Sequence, residues 1–233
     1  MFFKHNGSFG RRPIQFELRK KGIFVSQQKI SKILKKLGLR SKYGRKKCKN
    51  IHTSEEMKEE YIQANLYKQL SAKERKNYIL SIDFTEMRIK NRKVYTCGIV
   101  AVNEKILCAE LVDCKNDSEA ACRTVEMAIA NYGVPYMILS DRGSPFVSKS
   151  FQNLMRKYGI QHSMSRPGTP GDNCYIETFW KTMKTELGDV SSMTIETYKM
   201  VMAYYAYYYN TERPHSTLWY STPLERYSQK NCH

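Results

Sequence analysis

Ile30, Ile33, Leu34 and Leu37 recur at steps of three, four and seven, which makes one apolar stripe along a helix, with Lys29, Lys32, Lys35 and Lys36 off the stripe. Ser26 is a good N-cap for this run and Gly38 a good stop, so the pattern predicts a helix over 27–37. A shorter helix is predicted over 13–21, with proline in its first turn and Gly22 at its end. Two short helices joined by the turn 22–25, the second densely basic, form a helix-turn-helix pattern. Residues 41–49 read as a basic linker containing Arg45-Lys46-Lys47. Thr53 and Ser54 predict the start of a charged helix running to about Leu70.

After Lys76 the hydrophobic pattern changes. Residues 78–84, 93–102 and 105–112 read as strands. Asp117 or Ser118 caps a helix to about Tyr132, Gly133-Val134-Pro135 breaks it, and 136–140 reads as a short buried strand. A helix follows over 148–158, with Phe151, Leu154, Met155 and Tyr158 on one face, and then a strand over 160–164. The loop 165–171 is rich in Pro and Gly, Asp172 or Asn173 caps a helix to about Leu187, and a last helix spans about 195–210. In that helix Tyr198, Val201, Met202, Tyr205 and Tyr208 or Tyr209 fall on a packing face. Three strands followed by alternating helices and strands predict the α/β class: a mixed sheet with flanking helices, preceded by a small all-α helix-turn-helix domain. The expected divisions are a basic module and linker over 1–50, a connecting helix over 51–75, a sheet-bearing core over 76–190, and a helix and tail over 191–233.

Composition sharpens this picture at one end of the chain. Of the 233 residues 39 are Lys or Arg and 22 are Asp or Glu, a formal charge of +17. Residues 1–50 hold sixteen of the basic residues and one acid, Glu17, so they carry +15 and the remainder only +2. A strongly basic segment joined to a near-neutral domain is the electrostatic footprint of a nucleic-acid-binding module. The seven cysteines are scattered and no CxxC pair occurs, so neither a disulfide framework nor a structural zinc site is indicated. No apolar run approaches the roughly 20 residues that span a bilayer, and the start has no secretory pattern. The chain is read as intracellular, with no membrane partner.

The acids supply the chemistry. Asp83 lies in or at the end of an apolar strand, where an ionised carboxylate is costly without a partner or a metal. Asp141 lies where the strand 137–140 gives way to Arg142-Gly143-Ser144, a usual position for sites in α/β sheets. Glu177 follows after 35 intervening residues, on a helix that carries Lys181 and Lys184 one and two turns further along the same face. Any one of these acids alone would be an ordinary strand end, turn or helix-surface residue. Together they form an oxygen-donor set suited to Mg2+ or Mn2+, beside a row of cations suited to phosphates.

The chain resembles the DDE transposases of bacterial insertion sequences, of the integrase-core type encoded by a second reading frame and related to retroviral integrases. The resemblance is carried by Gly10-Arg11-Arg12-Pro13-Ile14, Asp83-Phe84-Thr85, Leu139-Ser140-Asp141-Arg142-Gly143-Ser144 and Ser163-Met164-Ser165-Arg166-Pro167-Gly168. Gly171-Asp172-Asn173, Glu177-Thr178-Phe179-Trp180 with Lys184 and Glu186, and Tyr209-Asn210-Thr211-Glu212-Arg213-Pro214-His215 with Leu218, Thr222 and Pro223 extend it. Two stretches depart from the family pattern: Val102-Asn103-Glu104, where an aspartate is usual, and Pro145-Phe146, where glutamine and tyrosine are. The resemblance implies an RNase H-like catalytic domain with Asp83, Asp141 and Glu177 as catalytic and metal-binding residues. It implies two Mg2+ ions, with Mn2+ as substitute, DNA cleavage to a 3′-hydroxyl, and attack of that hydroxyl on target DNA. Expected partners are double-stranded DNA at transposon ends and target, further copies of the chain, and a protein from an upstream reading frame. Arg11, Arg12, Lys29, Lys32, Lys35, Lys36, Arg45, Lys46, Lys47, Asn173, Lys181 and Lys184 are the expected DNA-binding residues. A plain nuclease on the same fold would share the triad without the basic front module, and a DNA-binding transposase derivative would bind without catalysis.

Overall fold

Leu80 and Ile82 point to one side of a strand while Ser81 and Asp83 point to the other, and this alternation sets the architecture. The computed structural model describes residues 1–43, 64–113, 115–167 and 169–231. The strand, β1 (Ile79–Ile89), lies in the middle of a five-stranded sheet of order β3-β2-β1-β4-β5. β2 (Arg92–Ala101) pairs antiparallel with β1, and β3 (Leu107–Asp113) pairs antiparallel with β2. β4 (Met137–Ser140) and β5 (Gln161–Met164) continue the sheet in parallel with β1.

Helices cover both faces. Leu80, Ile82, Cys97 and Ile99 pack with Ala121, Val125 and Ala128 of α3 (Ser118–Tyr132) and with Phe151, Leu154 and Met155 of α4 (Lys149–Tyr158). On the other face Ile89, Val94, Val100 and Leu107 meet Ile176, Phe179, Trp180 and Met183 of α5 (Cys174–Leu187). Tyr198, Met202, Tyr205 and Tyr209 of α6 (Ile195–Thr211) join the same cluster, the packing face expected of the tyrosine-rich helix. Asp117 caps α3 through the Ala120 amide, and Ser148 caps α4 through the Phe151 amide. At the front, α1 (Arg11–Lys20) and α2 (Gln27–Lys36) pack through Ile14 and Ile30, with Ser26 capping α2 through the Lys29 amide.

Several expected boundaries move. α1 begins two residues earlier, at Arg11. The helix expected to end near Leu70 is not present in its described part, and the rest of it lies outside the described residues. Residues 64–66 are irregular, and only a single 3-10 turn forms, at Tyr67–Gln69. The cause is competition from tertiary hydrogen bonds. The Met164 amide donates to the Ala64 carbonyl, Ser163 Oγ accepts from the Tyr67 amide, and Asn65 donates to Asp172. The third strand starts at Leu107, because Lys105 turns the chain in the left-handed region at φ 60°. Beyond α6 the expected tail contains a further helix, α7 (Pro223–Asn231).

Candidate active site

The register of the sheet sets two of the acids side by side. Ser81 of β1 is the parallel partner of Leu139 of β4. Asp83 lies two residues further along β1 and Asp141 one residue past the end of β4, so extending the register brings the two acids to neighbouring positions at this end of β4. Glu177 stands in the first turn of α5. The start of that helix is tied to β1 by Asn173: its Oδ1 accepts from Ser81 Oγ at 2.6 Å and its Nδ2 donates to the Ile82 carbonyl at 3.2 Å.

A second tie comes from an absent side chain. Gly98 of β2 is the cross-strand partner of Asp83. The Trp180 ring rests directly on it, so close that a Cβ there would stand 2.6 Å from Trp180 Cη2. Trp180 is one helical turn after Glu177, so the packing that seats the indole also sets how near Glu177 lies to Asp83.

The electrostatics follow from this crowding. Burial and then the neighbouring Asp141 push the Asp83 carboxyl up to about 8, with Glu177 adding to the rise and Lys184 opposing it. Burial also raises Glu177, with a further rise from Asp141. Asp141 is raised by the surrounding protein and pulled back by the Gly143 amide, which donates to its Oδ1 at 2.8 Å. Its side chain is open to solvent, so that rise is a small energy. Lys184 is depressed by partial desolvation of its side chain and held up by Asp83 and Glu86. Three acids thus face one another with one cation among them, which is the donor chemistry of a divalent-metal site. No group of three His, Cys, Asp or Glu among the described residues stands close enough to hold a metal ion.

A buried relay stiffens the strand end that carries Asp141. Gln152 Nε2 donates to His162 Nδ1 at 2.9 Å, which leaves the proton on Nε2 to donate to Ser140 Oγ at 2.8 Å, and Ser140 Oγ donates to the Asp141 carbonyl. Burial pushes His162 down to about 4, in keeping with a neutral ring.

The expected DNA-binding residues fall into several groups. Arg11, Arg12, Lys29, Lys32, Lys35 and Lys36 are all exposed on the front module. Arg11 and Lys35 line a cavity of about 520 Å³ together with Arg40, which the sequence reading did not include. Lys181 and Lys184 are exposed along α5. Arg45, Lys46 and Lys47 lie outside the described residues. Asn173 is a correction: its side chain is buried and spent on Ser81 and Ile82, so it positions α5 and is not free to meet DNA.

Other ties were not foreseen. Asp172 is buried and accepts from Arg166, Lys68 and Asn65. Burial alone would raise its carboxyl, but these donors hold it well below the usual carboxylate range. It closes the Pro/Gly loop onto the start of α5. The signal in the sequence was Arg166 within Ser165-Arg166-Pro167.

A mixed five-stranded sheet of order β3-β2-β1-β4-β5 with helices on both faces defines the class: an RNase H-like domain. A family model described as an integrase core domain matches residues 73–170, a second of the same description matches 158–223, and an HTH-like domain matches 1–47. The transposase for insertion sequence element IS904 of Lactococcus lactis is 29% identical over 238 residues, covering 98% of this chain and 91% of its own. A transposase-like protein of Haemophilus influenzae is 30% identical over 202 residues, covering 85% and 90%. Among solved structures the catalytic core domain of BIV integrase shares the fold, with a TM-score of 0.52 and 19% identity over 66% of this chain and 96% of that one. The chain belongs to the insertion-sequence transposases of the retroviral integrase superfamily, and it is a DNA strand-transferase with an integrase core behind an HTH-like domain.

Proposed function

We propose that Asp83, Asp141 and Glu177 are the catalytic triad, and that they hold two Mg2+ ions, replaceable by Mn2+, during DNA cleavage and 3′-hydroxyl transfer. The observation that carries this reading is the register of β1 and β4, which sets two carboxylates at one level, with the start of α5 fastened over them by Asn173. When bound, the metal ions activate the attacking oxygen and stabilise the leaving one. The protein's own residues do the rest. Asp83 is fixed on the central strand, Asp141 is held by the Ser140–His162–Gln152 relay, and Glu177 is carried in by α5. Lys181 and Lys184 hold flanking phosphates along α5 as charge-assisted donors. In the front module, Arg11, Arg12 and the lysines of α2 hold duplex DNA through backbone phosphates, whatever its sequence.

The same scheme carries the partners. Joining two transposon ends to a target needs more than one active site, so the working form is a homo-oligomer on double-stranded DNA, with a protein from an upstream reading frame as a further partner. No described helix is long and apolar enough to cross a membrane, and the proposed place of work is the cytoplasm, at the nucleoid. The test is Glu177→Gln. The variant should bind duplex DNA with unchanged affinity and neither nick supercoiled plasmid nor join a pre-cut 3′-hydroxyl end in Mg2+ or Mn2+. Full joining by this variant would remove the triad. Nicking without joining by the unaltered protein would instead favour the plain-nuclease reading.

A further inference from the structure

Glu186 is a buried carboxylate near the end of α5, nine residues beyond Glu177. Its Oε1 accepts from the Tyr43 hydroxyl at 2.8 Å and from Arg213 Nε at 2.9 Å, and its Oε2 accepts from the Tyr205 hydroxyl at 2.9 Å. Its main-chain carbonyl, one of the last four of the helix and so without an intrahelical partner, accepts from Asn6 Nδ2 at 2.7 Å and from Lys42 Nζ at 3.3 Å. Tyr43, Asn6 and Lys42 all belong to the segments flanking α1 and α2. Those segments are themselves laced together, by Lys42 to the Gly7 carbonyl and Ser41 to the Ser8 carbonyl. The amino-terminal module therefore supplies, from outside the helix, the C-terminal cap of the helix that carries Glu177 and Lys184. Arg213, in the Arg-Pro-His stretch after α6, provides the counter-charge that makes a carboxylate tolerable there.

We infer that Glu186 is a positioning residue: a latch through which the amino-terminal module sets the placement of α5, and with it the catalytic acid at the other end. α5 is a continuous helix, and from Glu186 to Glu177 is roughly 13 Å along its axis. A rigid rod seated at one end by Tyr43 and Asn6 transmits a shift or rotation of the module to the first turn. DNA engagement by the module is thereby coupled to the readiness of the active site, and Arg213 has a physical role in that coupling.

The inference rests on the triad reading, and the test separates the two. In the full chain, Tyr43→Phe removes one donor to Glu186 and leaves the partly exposed ring in place. Asn6→Gly removes another and keeps a residue suited to the left-handed backbone at φ 47°. Duplex binding and steady-state Mn2+-dependent nicking of plasmid are measured for the unaltered protein, each variant and the pair, well below the melting temperature. The expected result is a KM for DNA within about twofold of the unaltered protein with kcat down about 3- to 10-fold, largest in the double variant. An unchanged kcat, or kcat and KM altered together, overturns the latch, because module docking would then serve only DNA retention or general stability. An unaltered protein that fails to nick, or a Glu177→Gln control that nicks normally, counts against the triad reading itself.

Discussion

Replacing Gly98 with alanine adds one methyl group at the point where the sheet, α5 and the acids meet. Its Cβ would lie 2.6 Å from Trp180 Cη2 and 2.7 Å from Cζ2. Carbon atoms rest at about 3.5–4.0 Å, so the ring, and the helix that carries it, must retreat by about 1 Å. Trp180 is buried against Phe179 and cannot swing into open space. Overpacking of this kind costs about 1–3 kcal/mol. For a chain of this size each kcal/mol lowers the melting temperature by about 2–4 °C. The effect on catalysis should exceed that on stability, because a misplacement of about 1 Å at a reacting site can cost on the order of 100-fold. Thermal unfolding and plasmid nicking in Mn2+ measure the two effects. Trp180→Phe in the Gly98→Ala background removes the clashing atoms, and it gives up an indole N–H that finds no hydrogen-bond partner among the described residues. The double variant should therefore recover a large part of the lost activity. Wild-type melting and nicking in Gly98→Ala, or no recovery in the double variant, would refute the idea that this contact sets Glu177 over Asp83.

Two further outcomes are expected. His162 stays neutral in the folded chain down to about pH 4, whereas an unfolded histidine takes its proton near 6.5. Its stabilising effect is fully present above about pH 6.5 and is lost as pH falls towards 4, about 3 kcal/mol in all; denaturant melts across that window should show the loss, and His162→Gln should flatten it. Changing Lys29, Lys32, Lys35 or Lys36 singly to alanine should weaken binding to any duplex sequence, and each lost phosphate contact should make the slope of log K against log salt shallower by about 0.9. Anisotropy titrations on two unrelated duplexes measure it, and a sequence-selective loss would overturn the phosphate assignment.

What the sequence could convey depended on whether the deciding contact was local. The stripe of α2, the strand pattern of β1 and the caps Ser26 and Asp117 all act within a few residues, and they were readable directly. The acids could be named because their order and spacing match a family, and not because any short window proclaimed their convergence. The register that sets Asp83 level with Asp141 joins residues almost sixty apart. The helix expected to run to Leu70 failed for the same reason, since Asn65 and Tyr67 are claimed by Asp172 and Ser163 far along the chain. Asn173 looked like a DNA-facing polar residue until the fold buried it beneath Ser81. Glu186 and Arg213 belonged to quoted motifs, but a role for them needed the spatial meeting of Tyr43, Tyr205 and the end of α5.

β1 pairs with β2 along almost its whole length and with β4 over Ile79–Ser81, so the amides just ahead of Asp83 should be among the slowest in the molecule to trade protons with heavy water. One acid of the three is thus anchored where the chain rarely opens, while the other two ride on a strand terminus and a helix that can be nudged. Adjustment to differently shaped nucleic-acid substrates would then be made by moving Asp141 and Glu177 around a stationary Asp83.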